Sequence, residues 1–274
     1  MFQLHDGGET SFFRSGRTHP DFRNLGLTPV MFKTLKAESK AIRPEIKRMI
    51  GCMGNNVDTS LTNRMGFTEL FRKRRISLSY KSNDISPLNE QEKTLSLKVH
   101  ELNSGDLEAL FLNKELVGNM FPGGLLFNRS IGYRPMKSNI RHLINDFSSV
   151  FVTAKNPIQT REVKQEKRTL SDVMIGQIDL MTCSQSHWTL SGHVYTCEIY
   201  SSGDVTSLDA HLVYHVNRMK EVTPGDGILL VTIPDCVSDE DIVAVLRKYR
   251  IKDILPVPET HLVLFEMSYS DLLK

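Results

Sequence analysis

The sequence is poor in cysteine and has no long apolar run, and each absence excludes a class of protein. Four cysteines in 274 residues are too few for a disulfide scaffold. The longest aliphatic run is Ile228 to Val231, whereas a membrane-spanning helix needs about 20 consecutive apolar residues. Met1 to Asp6 lack the basic segment and apolar core of a secretory signal. We therefore expect an intracellular protein, cytoplasmic or nuclear, with free thiols.

Short catalytic and cofactor motifs are also missing. The sequence contains no G-x-S-x-G, H-E-x-x-H, Walker A or G-x-G-x-x-G pattern. Pairs of carboxylates such as Asp239 and Asp241 are explained by capping at a helix start. We predict no small-molecule cofactor, and enzymatic activity is left open, with a non-enzymatic role favoured.

What the sequence does have is an uneven distribution of charge. Residues 1–80 carry 14 Lys and Arg against 7 Asp and Glu, a net charge of +7, and residues 81–274 carry a net charge of −5. Residues 169–217 contain no Lys or Arg. A basic front segment joined to an acidic body indicates an anionic partner for the front segment.

The pattern of apolar residues predicts an α+β fold, in which a basic, mostly helical N-terminal segment precedes a β-rich body ending in a β-α-β unit. Residues 1–27 are interpreted as an extended arm. Residues 28–53 have helical periodicity, interrupted by a kink at Pro44, and residues 67–75 are predicted to form a short helix. A polar linker at residues 81–92 divides the chain into two predicted domains, residues 1–85 and 86–274.

The body is predicted to contain a hairpin and a closing β-α-β unit. Residues 189–200 and 205–216 flank a turn-rich tetrapeptide and predict two antiparallel strands. Strands at 228–233 and 261–266 flank a helix at 239–249, whose charges suit the helix dipole. Trp188, the only tryptophan, is interpreted as a core anchor.

The basic front segment provides the leading functional hypothesis. A helix over residues 28–53 would place five cations within an arc of about 80°, and four adjacent cations follow at 72–75. Such a face would neutralise phosphates without reading sequence. We predict a non-enzymatic, self-associating, viral-type structural protein that binds RNA. The predicted contacts are Lys33, Lys36, Lys40, Arg43, Lys47, Arg72, Lys73, Arg74 and Arg75.

Two alternatives remain open. The same cations could bind anionic lipid headgroups in a matrix-like scaffold at a membrane surface. Residues 183–215 hold two cysteines and four histidines, which could form a zinc site or a hydrolase centre near Asp209, His211 and His215. The spacing argues against zinc, since His193 and Cys197 would lie about 13 Å apart on one strand. No metal or catalytic residue is therefore assigned.

Overall fold

A computed structural model describes residues 2–13, 19–22, 25–54, 65–96, 98–128, 130–154, 175, 177–190, 192–203, 205–223, 225–251, 253–254 and 261–269. Thirteen strands and seven α-helices are found within these residues. The strands are β1 (Phe2–His5), β2 (Thr10–Phe13), β3 (Arg48–Gly54), β4 (Thr68–Lys81), β5 (His100–Glu101), β6 (Leu126–Asn128), β7 (Ile131–Tyr133), β8 (Ser148–Ala154), β9 (Ile178–Thr189), β10 (Gly192–Ser201), β11 (Asp226–Ile233), β12 (Asp253–Ile254) and β13 (His261–Ser268). The helices are α1 (Leu27–Ile42), α2 (Glu90–Ser96), α3 (Ser104–Leu112), α4 (Lys114–Met120), α5 (Ile140–Leu143), α6 (Leu208–Val222) and α7 (Asp239–Arg247).

One large mixed sheet organises the molecule. Ten of its eleven strands follow the order β1-β2-β3-β13-β4-β11-β10-β9-β8-β5, and β12 pairs with β4 beside this path. Strands β10 and β11 are parallel, as are β2 and β3, and the remaining pairs in the sheet are antiparallel. The predicted α+β arrangement is therefore wrong: the fold is mixed α/β, and strands from the front segment lie inside the same sheet as those of the body.

Apolar cores lie on both sides of this sheet. One core contains α3, α4 and the small β6–β7 sheet, packed against β8, β9 and β10. A second core contains α6 and α7, packed against the opposite side of β10 and β11. A third, smaller core joins α1 to β3 and β13. The central strands are thus buried on both faces, as helices on both sides of a sheet require.

Local signals account for several element boundaries. Helix α1 ends at Ile42, just before Pro44, because proline disfavours helix at the preceding residue. Asn103 and Asp106 form a reciprocal capping box at the start of α3. Gly192 has a φ of +117°, a backbone conformation that residues with a side chain rarely adopt. It closes the tight turn between β9 and β10.

Three predictions for the front segment are wrong. The arm at residues 1–27 instead contains β1 and β2, which pair with each other, and β2 pairs with β3. The second half of the predicted 28–53 helix is strand β3. The predicted helix at residues 67–75 does not form, and residues 68–75 belong to β4. In the last two cases pairing with a distant strand overrides the local helical periodicity.

The body confirms one prediction and corrects another. The closing β-α-β unit is confirmed by β11, α7 and β13. The predicted hairpin is wrong, because residues 208–222 form helix α6 and the hairpin partner of β10 is β9. The division at residue 85 stays a prediction. Within the described residues, no helix is long and apolar enough to cross a membrane.

Candidate active site

Two parallel strands in the middle of the sheet end close together, and β10 extends past the end of β11. The last residue pair between β10 and β11 is Glu198 with Thr232. Strand β10 continues through Ser201 with β9 on one side, whereas β11 ends at Ile233. Ligands in α/β sheets bind at the carboxyl ends of strands, where such crevices form. We call the region beyond the end of β11 the β10–β11 crevice, which residues 198–201, residues 232–233 and Lys73 surround.

The side chain of Lys73, on β4, extends across the crevice to β10. Strand β4 runs antiparallel to β11, with Arg74 opposite Ile233, so residues before Arg74 extend beyond the end of β11. The ammonium Nζ of Lys73 lies 3.5 Å from the carbonyl oxygen of Ile199. It also lies 3.6 Å from the centre of the Tyr200 ring, where a cation is attracted by the ring face. The lysine side chain therefore occupies the gap that β11 leaves beside β10.

A buried glutamate lies next to this lysine. Glu198 is 2% exposed and Lys73 is 3% exposed. The Thr232 hydroxyl donates a hydrogen bond to the Glu198 carboxylate, but no group among the described residues is hydrogen-bonded to its oxygen Oε2. Buried polar atoms are nearly always paired, so this oxygen marks a position that a substrate group could occupy.

Burial changes the proton affinity of both groups. Loss of solvation raises the pKa of Glu198, and the nearby positive charge of Lys73 opposes that rise. Burial lowers the pKa of Lys73 to about 8, and the charge of Glu198 opposes that fall. Burial also raises the pKa of the Cys183 thiol, which disfavours the reactive thiolate. Glu198 is consequently the stronger candidate for accepting a proton during a reaction.

Two helices begin at the same edge as the crevice. Helix α6 follows the end of β10, and α7 follows the end of β11. The Ser238 hydroxyl accepts a hydrogen bond from the backbone of Asp241 at the start of α7, at 3.1 Å. Arg74 binds the same turn through Asp239, at 2.8 Å. Helix N-termini carry partial positive charge. At α7 the Ser238 hydroxyl and the carboxylates of the first turn already occupy this end.

The opposite face of β9 and β10 carries a chain of buried hydrogen bonds that begins at the start of α6. The Ser207 hydroxyl donates to the Asp179 carboxylate at 2.9 Å. The Thr153 hydroxyl donates to the other Asp179 oxygen at 2.9 Å. The same hydroxyl is hydrogen-bonded to Nε2 of His211, at 3.2 Å. These bonds fix the first turn of α6 onto the sheet.

The chain continues along α6 toward the other end of the sheet. The Thr182 hydroxyl lies 2.9 Å from Nδ1 of His211 and 2.8 Å from Nε2 of His215. His215 Nδ1 lies 2.8 Å from the Tyr195 hydroxyl. Burial lowers the pKa of His215 to about 3 and lowers that of His211, so both are neutral. We call this series the buried histidine chain: Ser207, Asp179, Thr153, His211, Thr182, His215 and Tyr195.

This chain removes the basis for the zinc and hydrolase alternatives. His211 and His215 lie one turn apart on a helix, not along a strand, and their ring nitrogens are hydrogen-bonded to hydroxyls. Among the described residues, no cluster of three or more His, Cys, Asp or Glu could hold a metal ion. Asp209 is exposed in the first turn of α6. The histidines therefore stabilise the helix on the sheet.

The structure separates the nine predicted phosphate contacts. Lys36 and Lys73 are buried, and Arg72 and Arg74 form ion pairs with Glu69 and Asp239. The predicted common helix face does not form, because the cations are divided between α1, the segment that follows it and β4. Lys33, Lys40, Arg43, Lys47 and Arg72 are exposed, and Arg74 and Arg75 are half-buried.

Glu198 was missed by the sequence prediction, although the sequence contains a signal for it. It is a lone charged residue within Cys197 to Tyr200, an otherwise uncharged and mostly apolar stretch. A charge in such a strand is rarely buried without a partner or a function. The importance of Lys73 could not be inferred locally, because the basic run around it favoured a solvated surface.

Several solved structures are similar to this chain at low sequence identity. Saccharomyces cerevisiae N-myristoyltransferase with bound myristoyl-CoA is 10% identical, with a TM-score of 0.47 over 94% of this chain and 62% of its own. The GCN5-related N-acetyltransferase from Sphaerobacter thermophilus is 10% identical, with a TM-score of 0.43 over 94% and 72%. The GCN5-related N-acetyltransferase from Anabaena variabilis is 9% identical, with a TM-score of 0.38 over 97% and 57%.

These likenesses are partial. The TM-scores lie below 0.5, which is too low to define a shared fold. The chain spans about three fifths of the length of the yeast and Anabaena proteins. No curated protein sequence matches the chain.

A family model gives the decisive comparison. The model described as histidine N-acetyltransferase, C-terminal, matches residues 95–233, which contain α3 to α6 and strands β5 to β11. This match overturns the predicted RNA-binding viral structural protein, along with its nucleic-acid partner, and points to an acyltransferase. The physical reason for the error is that the basic residues are divided among buried, paired and separate positions. Residues 95–233 make up half of the 274 residues, and the chain belongs to the histidine N-acetyltransferase, C-terminal family.

Proposed function

We propose that this protein is an N-acetyltransferase that moves an acetyl group from a coenzyme A thioester to an amino group. One observation carries the proposal: in a member of this family, a buried glutamate lies where β10 and β11 end, and no described residue bonds one of its oxygens. The family description names histidine, so the α-amino group of histidine is the first acceptor to test. Because acyl-CoA thioesters are intracellular metabolites, we also propose an intracellular location.

The reaction needs a proton acceptor in a dry site. The amine nitrogen forms a bond to the acetyl carbon, the carbon–sulfur bond breaks, and coenzyme A leaves as a thiol. The amine must lose a proton, and we assign Glu198 to accept it. Burial raises the pKa of Glu198, which makes its carboxylate a stronger base than an exposed one. Lys73 stabilises the anionic carboxylate and keeps it available.

The β10–β11 crevice fits the acyl donor. Coenzyme A supplies an activated acyl thioester on an extended arm that contains amides and ends in phosphates. Among the described residues, no strand pairs with Tyr200 and Ser201 of β10 on the β11 side, so their backbone could bind amides of that arm. The start of α6, which no side chain caps among the described residues, lies at the same edge and would favour the phosphates.

The proposal is tested with acetyl-CoA, L-histidine and the purified full chain. We expect N-acetylhistidine by mass spectrometry together with release of free thiol. Glu198→Gln keeps the side-chain size and removes the base, so we expect kcat to fall by about 10²–10⁴-fold. Glu101→Gln, an exposed position on β5 of the same sheet, serves as the control and should keep wild-type kcat.

Two outcomes would contradict this function. If Glu198→Gln turns over as fast as the control, Glu198 does not accept the proton. If neither histidine nor a panel of other primary amines is acetylated, the chain does not carry out acetyl transfer.

A further inference from the structure

A second cavity lies at the end of the sheet opposite the β10–β11 crevice. It has a volume of about 580 Å³ and is lined by the end of β9, the start of β8, the start of β10 and the last turns of α6. Pockets for small molecules usually have volumes of about 300–1,000 Å³. His193 in this cavity and Glu198 are five residues apart along β10, roughly 16 Å. Their side chains also point to opposite faces of the sheet, so the cavity is separate from the proposed acetyl-transfer site.

One wall of the cavity is held rigidly. His193 Nε2 lies 2.7 Å from the Ser186 hydroxyl, and its Nδ1 lies 3.2 Å from the Tyr80 hydroxyl and 3.1 Å from the Thr223 hydroxyl. Tyr80 passes over Gly227, where a Cβ atom would lie 2.6 Å from its ring. The imidazole is therefore fixed from both sides, and the wall is formed before any ligand binds.

Two exposed aromatic rings line the same cavity. Trp188 is 63% exposed and Phe147 is 66% exposed, and both are lining residues. The interpretation of Trp188 as a core anchor is therefore wrong. Large apolar side chains that are exposed together at a concave site indicate a binding surface. Their flat faces suit a planar apolar group.

The cavity also carries one charge of each sign. Asp146 lines it and forms no ion pair among the described residues. Arg218 lines it from α6 and lies 3.3 Å from Glu221, and its planar guanidinium has further N–H groups for a carboxylate. A ligand with an ammonium group and a carboxylate would match both charges.

We propose that this cavity binds a free amino acid with an aromatic side chain. Arg218 would bind its carboxylate, Asp146 its ammonium group, and Phe147 and Trp188 its ring. This site lies outside the proposed acetyl-transfer centre and does not depend on catalysis there. A saturating amino acid would occupy it whether or not an acyl donor is bound.

The only tryptophan of the chain reports on this cavity directly, because Trp188 is one of its walls. Indole fluorescence of the purified full chain is followed during titration with L-phenylalanine, without acetyl-CoA. Phenethylamine lacks the carboxylate and phenylpropionate lacks the ammonium group. We expect a saturable change with L-phenylalanine and at least about tenfold weaker binding of each analogue, since a hydrogen bond to a charged group contributes about 1.5–3 kcal/mol.

Two variants test which side chain binds the carboxylate and which binds the ammonium group, and each should change the binding of a different analogue. Arg218→Gln should weaken the binding of L-phenylalanine at least about tenfold and leave the affinity for phenethylamine unchanged. Asp146→Asn should weaken the binding of L-phenylalanine by a similar factor and leave the affinity for phenylpropionate unchanged. Lys220→Gln, exposed on the same helix and outside the lining, is the matched control. Circular dichroism of each variant verifies folding.

The proposal is overturned if L-phenylalanine produces no saturable change. It is also overturned if all three probes bind equally, or if adenosine binds where L-phenylalanine does not. Glu198→Gln should bind L-phenylalanine as the wild type does. That result separates this proposal from acetyl transfer, because either can fail while the other stands.

Discussion

The two faces of β9 and β10 bury polar groups in opposite ways. On the α6 face, the buried histidine chain is neutral, and each imidazole nitrogen of His211 and His215 is hydrogen-bonded. On the other face, Lys73 and Glu198 are buried near each other, and one carboxylate oxygen of Glu198 has no hydrogen-bond partner within the part of the chain that the structure describes. A complete network stabilises a helix on a sheet. An incomplete charged network is destabilising unless a substrate completes it, and this difference is the reason that we propose the Glu198 face as the site of the reaction.

The largest expected effect on stability comes from removing one of the two buried charges. Lys73→Met removes the cation with the larger effect on Glu198, leaving Arg75 as a weaker one, and we expect a loss of about 3–5 kcal/mol in the free energy of unfolding. The double variant Lys73→Met with Glu198→Gln should recover most of this loss, because neither charge remains. Urea denaturation measures both variants. Lys33→Met on the exposed side of α1 is the control, and an equal cost there would show that the buried charges are not coupled.

The next largest effect comes from interrupting the buried histidine chain on the α6 face. Thr182→Val removes the hydroxyl between His211 and His215 and leaves two buried imidazole nitrogens without partners. We expect a cost of about 2–4 kcal/mol, since an unsatisfied buried group costs about 1–3 kcal/mol. Thr196→Val is the matched control. Thr196, on the neighbouring strand β10, is buried as well, but its hydroxyl donates a hydrogen bond to a backbone carbonyl at 3.3 Å. Equal unfolding midpoints for the two variants would refute a stabilising role for the chain.

A smaller effect concerns the wall of the second cavity. Gly227→Ala places a methyl group against Tyr80 and the His193 carbonyl oxygen, so we expect a loss of about 1–3 kcal/mol from overpacking. Trp188 emission should change as well, because His193 lies against the indole with ring centres 5.2 Å apart. Gly118→Ala, in α4 with open space around it, should be neutral or stabilising. A neutral Gly227→Ala would mean that Tyr80 moves freely.

The smallest effect concerns the exposed cations. Arg72→Gln breaks an exposed ion pair with Glu69, and such pairs contribute about 0–1 kcal/mol. We expect a near-wild-type unfolding midpoint and wild-type acetyl transfer in the same assays. A large loss of either would restore a functional role to the exposed part of the basic run.

The sequence predicted elements that are specified locally. Helix α7 was found because its cap and its terminal charges lie within its own residues. The second part of β4 was predicted, because residues 76–80 alternate with a period of two. Its first part was mistaken for a helix because Phe67, Leu70 and Phe71 have helical spacing, while pairing with β13 decides the outcome. Helix α6 was mistaken for a strand although His211 and His215 are four residues apart, a spacing that also fits a helix.

The candidate site was not predictable in the same way. Glu198 and Lys73 are 125 positions apart in the chain, and the sheet order β4-β11-β10 brings them together. No local pattern encodes that order. A lone acidic residue in a strand such as β10 could have been flagged, but its cationic neighbour required the topology.

The most direct test of the account is the pH dependence of kcat/KM for acetyl transfer in the wild type and in Lys73→Met. Glu198 must be deprotonated to accept a proton, so the rate falls as pH decreases through its pKa, which burial raises above its ordinary value. Lys73 lowers that pKa, so its removal should raise the pKa and shift the acidic limb to higher pH. Identical acidic limbs in the two proteins would contradict the assignment of Glu198 as the base.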